Sequence, residues 1–309
     1  MFNFASKESV PGRPYVHMEI FRHDEKDLHE DDTLAGLTES GKKRAVKAGQ
    51  KRLPSLNRGY VVASSRDRAA HSAILQFFGP LMPEIADYSF IELRKCLDGK
   101  LKERFGVDDR LNFCVETDAE FSDRFYGEYS KDLKVNDTLK FQLEESDNLI
   151  LDLGRDANPK DVVKLKKIRQ LKGYKKMAGD MAEFILDYVD RLGEWEEVYS
   201  QSGETFDSHE LQIFCGSHSQ NIECFLMRVV ELREGREFLV RFLAALPHRK
   251  SFIAYSDGFS VNIFREEGRI CLDVFFRQFV WRLRSEDLKL FVKERDEFVD
   301  ELEVKLKLE

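Results

Sequence analysis

Short apolar runs that stop abruptly at charged or small polar residues, each followed by a helical pattern, limit this chain to few architectures. Tyr15-Val16-His17-Met18-Glu19-Ile20-Phe21 alternates with a period of two and reads as a strand, ending at Arg22-His23-Asp24-Glu25-Lys26. Leu37-Thr38-Glu39-Ser40-Gly41 opens a helix with Thr38 as its N-cap, and Ala45, Val46, Ala48, Gly49 and Leu53 fall close to one face. Tyr60 to Ser64 is a second short strand, and Arg68 to Phe78 a helix with Ala69, Ala73, Ile74 and Phe77 inward. Pro83-Glu84-Ile85-Ala86-Asp87 reads as a third strand leading to Glu92. The alternation of strands and helices predicts an α/β protein: a three-layer α/β/α sandwich with a mostly parallel central sheet.

The stretch 93–168 breaks this rhythm, because its apolar residues are widely spaced among charges. It is expected to be a mainly helical insertion, or cap, with short helices over Arg94 to Arg104 and Asp118 to Tyr129. Asn158-Pro159 supplies an N-cap and a first-turn proline for a long helix running to about Leu192. Leu211 to Gly216 is the next strand, ending at Ser217-His218-Ser219, with a helix over Ile222 to Val230 behind it. Ser251 to Tyr255, Phe259 to Phe264 and Ile270 to Phe275 are strand-like. The predicted domains are a discontinuous core over 15–92 and 169–283, the insertion at 93–168, and a charged amphipathic helix at 284–309. That last helix either packs on the body or pairs with a second copy, making a homodimer.

Composition narrows the function classes. The 309 residues carry 49 Lys plus Arg against 57 Asp plus Glu, a net charge of −8, which argues against a nucleic-acid-coating surface. The five cysteines, Cys96, Cys114, Cys215, Cys224 and Cys271, are odd in number and contain no CxxC pair, so reduced thiols are expected. No run approaches the ~18 apolar residues of a membrane span, and the first residues lack the charged-then-apolar order of a signal peptide. The expectation is a soluble cytoplasmic protein with no membrane or nucleic-acid partner.

In open α/β sheets, ligands gather at the carboxyl ends of strands. Arg22-His23 and Ser217-His218 fall at two such ends, and Ser65-Arg66-Asp67-Arg68 follows a third. Guanidinium forks suit phosphate oxygens. A neutral imidazole is a competent nucleophile toward phosphorus, and a second can hold the equatorial oxygens. Two arginines and two histidines therefore point to phosphoryl chemistry. His71 reads as a packing or surface residue on its helix. His209-Glu210 lacks a third ligand at metal-site spacing, so no metal is expected. Ser64 and Ser65 lack a nucleophile-elbow context.

These motifs resemble the histidine phosphatase superfamily, in its phosphoglycerate mutase-like branch. The strand followed by Arg-His-Gly-Glu appears here as Ile20-Phe21-Arg22-His23-Asp24-Glu25. Leu-Thr-x-x-Gly and its basic helix appear as Leu37-Thr38-Glu39-Ser40-Gly41-Lys42-Lys43-Arg44-Ala45. The second-strand motif Arg-Ala-x-x-Thr-Ala corresponds to Arg68-Ala69-Ala70-His71-Ser72-Ala73, and the late Ser-His-Gly to Ser217-His218-Ser219. The resemblance implies that His23 is the nucleophile that becomes phosphohistidine, with Arg22, Arg68 and His218 holding the phosphoryl group. It implies a glutamate that protonates the leaving oxygen: Glu92, in Phe90-Ile91-Glu92, or its rival Glu103, in Leu101-Lys102-Glu103-Arg104. The implied activity is metal-independent and cofactor-free hydrolysis of a small phosphomonoester.

Three positions depart from the pattern. Asp24 stands where the family has a small residue, and a carboxylate beside a dianionic phosphate is unfavourable unless it points away or meets Lys26. Ser219 replaces glycine. His29 stands where the mutases have asparagine, which favours a phosphatase over a phosphomutase. A degenerate protein that binds a phosphorylated ligand without turnover is the alternative from a different class.

Overall fold

The computed structural model describes residues 12–27, 36–52, 59–63, 67–97, 115–117, 173–202, 209–245 and 253–308. They form an α/β protein whose strands are β1 (Tyr15–Arg22), β2 (Gly59–Ala63), β3 (Val115–Thr117), β4 (Glu210–Ser217), β5 (Gly258–Glu266), β6 (Arg269–Phe276) and β7 (Phe279–Arg284). The helices are α1 (Glu39–Arg52), α2 (Asp67–Phe78), α3 (Phe90–Leu97), α4 (Gly173–Ser202), α5 (Ser219–Glu234), α6 (Arg236–Ala245) and α7 (Ser285–Leu308). No helix among the described residues is long and apolar enough to cross a membrane.

The sheet order is β3-β2-β4-β1-β5-β6-β7. The strands from β3 to β1 pair in parallel, whereas β1 with β5 and β5 with β6 are antiparallel. The sheet is thus mixed, which corrects the expectation of a mostly parallel one. The physical reason is local. Glu267 and Gly268 both adopt positive φ, at 49° and 75°, as a tight two-residue hairpin turn requires, so β6 must fold straight back on β5. The sequence reading located both strands but assigned them no direction.

Other local expectations are also corrected. Pro83–Asp87 is a short 3-10 helix, and the strand pairing with the outer edge of β2 is Val115–Thr117, inside the stretch expected to be helical. Residues 253–257 form a turn leading into β5 rather than a strand. The helix α6 and the strand β7 were not anticipated. Apart from residues 93–97 and β3, the proposed insertion lies outside the described residues, as do Glu103, His29, Ser64, Ser65 and the Asn158-Pro159 start.

The chain divides into two compact units, one of Met1–Ser122, Asp190–His218 and Tyr255–Val280, the other of Asp123–Val189, Ser219–Ala254 and Trp281–Glu309. The predicted core contributes to both. In the first unit, β1 is buried on both faces. Val16, Met18 and Ile20 are apolar, while the intervening His17 and Glu19 are buried in a polar chain. His17 faces Asn262 Oδ1 at 2.6 Å and Glu19 Oε1 at 2.9 Å. Arg52, in the last turn of α1, donates to Glu19, Gln76 and the Ser256 carbonyl. Buried charges persist only when paired in this way. The apolar core around Phe21, Ile74, Phe77, Phe78 and Phe214 lies between α2 and the sheet. In the second unit, Phe225 meets Phe291 edge to face, and Arg295 joins Asp180 to Glu183.

Gly216 sets how closely α2 approaches β4, because a Cβ there would collide with the Ala69 carbonyl and crowd the Ala73 methyl. Gly193, in α4, has nothing within 4 Å of such a Cβ. Gly216→Ala is expected to destabilise the protein by ~1–3 kcal/mol through overpacking, while Gly193→Ala stabilises it by ~0.5–1 kcal/mol through helix propensity. Urea denaturation of the two variants beside the parent measures both.

Candidate active site

Strand pairing places the site. β1 and β4 are parallel neighbours with Arg22 opposite Ser217, so the residues that follow, His23 and His218, leave the sheet side by side. The His23 N–H donates to the Ser217 carbonyl at 2.9 Å and extends the ladder by one bond. The two rings sit edge to face with centroids 5.1 Å apart. On the other side of β1, the turn before β5 is stitched on: Ser256 N–H donates to the Arg22 carbonyl, and Arg22 N–H to the Asp257 carbonyl. That turn delivers Tyr255, whose ring lies 4.3 Å from the Arg22 guanidinium carbon and 6.4 Å from the His23 ring centroid. The first turn of α2 delivers Arg68, whose Nε–H points at His23 Nε2 at 3.2 Å.

The tautomer of His23 follows from its partners. Nδ1 lies 2.6 Å from the Asp24 carbonyl. A carbonyl oxygen can only accept, so Nδ1 carries the hydrogen and Nε2 presents its lone pair toward Arg68. Burial lowers the His23 pKa from 6.5 to about 3; the Asp24 carbonyl opposes this, and the positive charges of Arg68, Arg22 and Lys26 assist it. The ring is therefore neutral near neutral pH, the state a nucleophile needs.

Asp24 points away from the imidazole. It is fully buried, and its carboxylate accepts from Arg44 Nε and Nη2 at 2.9 and 2.7 Å, from Ser256 Oγ at 2.7 Å and from the Glu25 N–H at 2.7 Å. Its own N–H donates to Ser72 Oγ at 2.7 Å. Arg44, not Lys26, is thus the cation it meets. Ser256 has φ +57°, a left-handed backbone that is uncommon for a residue with a side chain. Such conformations cost ~1–3 kcal/mol and concentrate at functional sites.

Of the five residues singled out from the sequence, the structure brings four together: Arg22, His23, Arg68 and His218. Glu92 lies in the first turn of α3, where its carboxylate accepts from both the N–H and the hydroxyl of Ser89 at 2.7 Å. Its own N–H donates to Ser89 Oγ at 3.3 Å. This is a reciprocal capping box, a role the sequence Ser89-Phe90-Ile91-Glu92 spells out and the acid assignment overlooked. Sequence reasoning also missed Arg44 and Tyr255. A lone arginine on a basic helix, and a tyrosine in what looked like a strand, gave no signal of their roles.

A cleft of about 460 Å³ lies beside the starts of α1, α2 and α3, with Lys42, Asp67, His71, Ser89 and Phe90 in its lining. His71 is 1% exposed. Its Nδ1 accepts the Leu37 N–H at 3.3 Å, so the hydrogen resides on Nε2, a buried atom with no hydrogen-bond partner among the described residues. Burial, with the nearby Lys42 charge, lowers its pKa from 6.5 to about 3. Among the described residues, no three His, Cys, Asp or Glu side chains gather as a metal site.

No family model and no curated protein sequence matches the chain. A solved structure named Mycobacterial hydrolase 2 is similar over 91% of this chain and 97% of that one, at 14% identity and a TM-score of 0.35.

Both imidazoles with depressed pKa link stability to pH. His23 and His71 bind a proton in the unfolded chain below pH 6.5 but in the folded protein only near 3. Each contribution is complete above pH 6.5 and is lost as the pH falls toward 3, with a slope of up to ~1.4 kcal/mol per pH unit. His71→Asn keeps an acceptor for the Leu37 N–H and removes the titrating ring. Urea midpoints between pH 7 and 4 are expected to fall less steeply in this variant than in the parent.

Proposed function

We propose that the protein is a metal-independent phosphatase that hydrolyses a small phosphomonoester through a phosphohistidine at His23. The observation that carries this reading is the arrangement around Nε2 of His23. A buried, neutral imidazole aims its lone pair at a guanidinium, with a second imidazole in edge contact. A guanidinium there supplies the charge stabilisation that phosphoryl transfer chiefly needs.

In the proposed reaction the phosphoryl group lies against Arg68, Arg22 and His218. His23 Nε2 attacks phosphorus in line as the bond to the leaving oxygen breaks, and that oxygen takes a proton from Glu92. Water then attacks phosphorus and gives a proton to the Glu92 carboxylate while the bond from phosphorus to Nε2 breaks, which releases inorganic phosphate and restores both the neutral imidazole and the acid. The Nδ1–H to Asp24 carbonyl bond keeps the ring oriented while Nε2 is phosphorylated.

One observation favours a second reading. Glu92 is engaged in a helix cap, and without a proton donor the same pocket would hold a phosphorylated ligand without turning it over. Glu92→Gln tests the donor role itself, because glutamine sustains a capping box but is no acid. If Glu92 is the donor, the variant loses ~10²–10⁴-fold in kcat on an alkyl phosphate and far less on p-nitrophenyl phosphate, whose leaving group needs no proton. If Glu92 only caps the helix, both rates stay at the parent's.

The nucleophile is tested by acid-labile, base-stable labelling from a phosphodonor such as acetyl phosphate. The parent is expected to label at His23, and His23→Ala to lose both the label and turnover while keeping its melting temperature within a few degrees. Parent-like turnover in His23→Ala would end the phosphohistidine reading. Tight phosphate binding by a parent that neither labels nor turns over would establish the binder.

A further inference from the structure

The departure at Asp24 is built into the site rather than merely tolerated. Its carboxylate is fully buried and collects four hydrogen bonds from three donors: two from the Arg44 fork on α1, one from Ser256 in the turn before β5, and one from its neighbour's N–H. Its N–H is fixed to Ser72 on α2. The one remaining polar atom of the residue, its carbonyl, accepts the Nδ1–H of His23 at 2.6 Å. Every polar atom of Asp24 is thus engaged: its side chain joins α1 to the turn that carries Tyr255, and its N–H joins the end of β1 to α2, which carries Arg68.

Resting on the phosphohistidine reading, we infer that Asp24 is a positioning residue. Its side chain, clamped by Arg44 and Ser256, holds the carbonyl that selects the Nδ1–H tautomer of His23 and so keeps Nε2 facing Arg68 and the reacting phosphorus.

The geometry leaves little latitude. Rotation of the 24–25 peptide by a few tens of degrees would withdraw the acceptor from Nδ1. The ring would then be free to carry its hydrogen on Nε2, where there is no lone pair for attack and the hydrogen opposes the Arg68 donor. The clamp resists that rotation from three directions. The fork geometry matters as well as the charge, because two parallel N–H groups of Arg44 converge on one carboxylate oxygen. Arg44 also reaches Glu25 at 2.9 Å, so one guanidinium braces two successive residues after the nucleophile. Ser256 keeps its strained φ by donating to Asp24 and receiving Arg52 on its carbonyl. The buried polar chain that starts at His17 therefore ends at the peptide next to the nucleophile.

The test pairs a spectroscopic readout with a chemical one on the full chain. Long-range ¹H–¹⁵N spectra report the His23 tautomer without any turnover. The parent is expected to show Nδ1–H alone, and Asp24→Asn a mixture with Nε2–H. The labelling rate from acetyl phosphate is expected to fall ~10–100-fold, the cost of misplacing a reacting group by about an ångström. A merely structural role would lower the melting temperature without moving the tautomer. Ser256→Ala, which removes one hydroxyl and leaves the Arg44 pair intact, covers the case in which Asp24→Asn does not fold; it is expected to shift the tautomer in the same direction by less. A pure Nδ1–H ring in either folded variant, with labelling as fast as the parent's or faster, would overturn the inference. If the parent itself never labels, the phosphatase reading fails, and the tautomer spectra still decide the role of Asp24.

Discussion

The parallel pairing of β1 with β4 is the constraint on which the rest of the molecule depends. Residues 15 to 22 of the chain meet residues 210 to 217 in one register, and the two histidines become neighbours only because each is the next residue along. A slip by one position would turn every side chain of β4 to the opposite face of the sheet. Phe214, packed against Phe21 and Phe77, would then leave the core, and His218 would part from His23. The apolar core thus enforces the register, and the register assembles the site.

The remaining parts arrive by different routes, and each has a packing reason. Arg68 comes on α2, brought close to β4 because Gly216 offers no side chain to hold it off. Tyr255 comes on the turn before β5, sewn to Arg22 by two backbone bonds. The positive groups surround an imidazole with little access to water, and the same burial that keeps this ring neutral also strengthens each electrostatic contact around it.

Much of this was legible in the residues. The strand ends at Arg22 and Ser217, the helix beginning near Arg68 and the cap at Thr38, whose hydroxyl accepts the Gly41 N–H, follow from apolar runs and capping chemistry. What was not legible depended on partners far away in the chain. In the period-two pattern of β1 the polar His17 and Glu19 alternate with apolar residues, and they are dry because Asn262 reaches His17 and Arg52, itself held by Gln76, reaches Glu19. Asp24 looked like an obstacle to phosphate because the arginine that turns it aside lies twenty residues on. Pro83–Asp87 resembled a strand by composition, but its short run curls into a 3-10 turn, and the edge of β2 is taken by Val115–Thr117 instead. Glu92 was read for its acidity alone, although Ser89 three residues earlier marked it as a helix cap.

The interleaving of the two units bears on how the protein comes into being. The backbone passes between them five times, since each is made of three separated stretches in alternation. Neither can be cut out as a continuous fragment, and on a ribosome the half containing the histidines stays unfinished until nearly the whole polypeptide has emerged. The strand that must slot between β2 and β1 is made long after both. Until then two sticky edges wait for a partner, and this long-range closure, rather than any local helix, should govern how fast a newborn chain becomes competent.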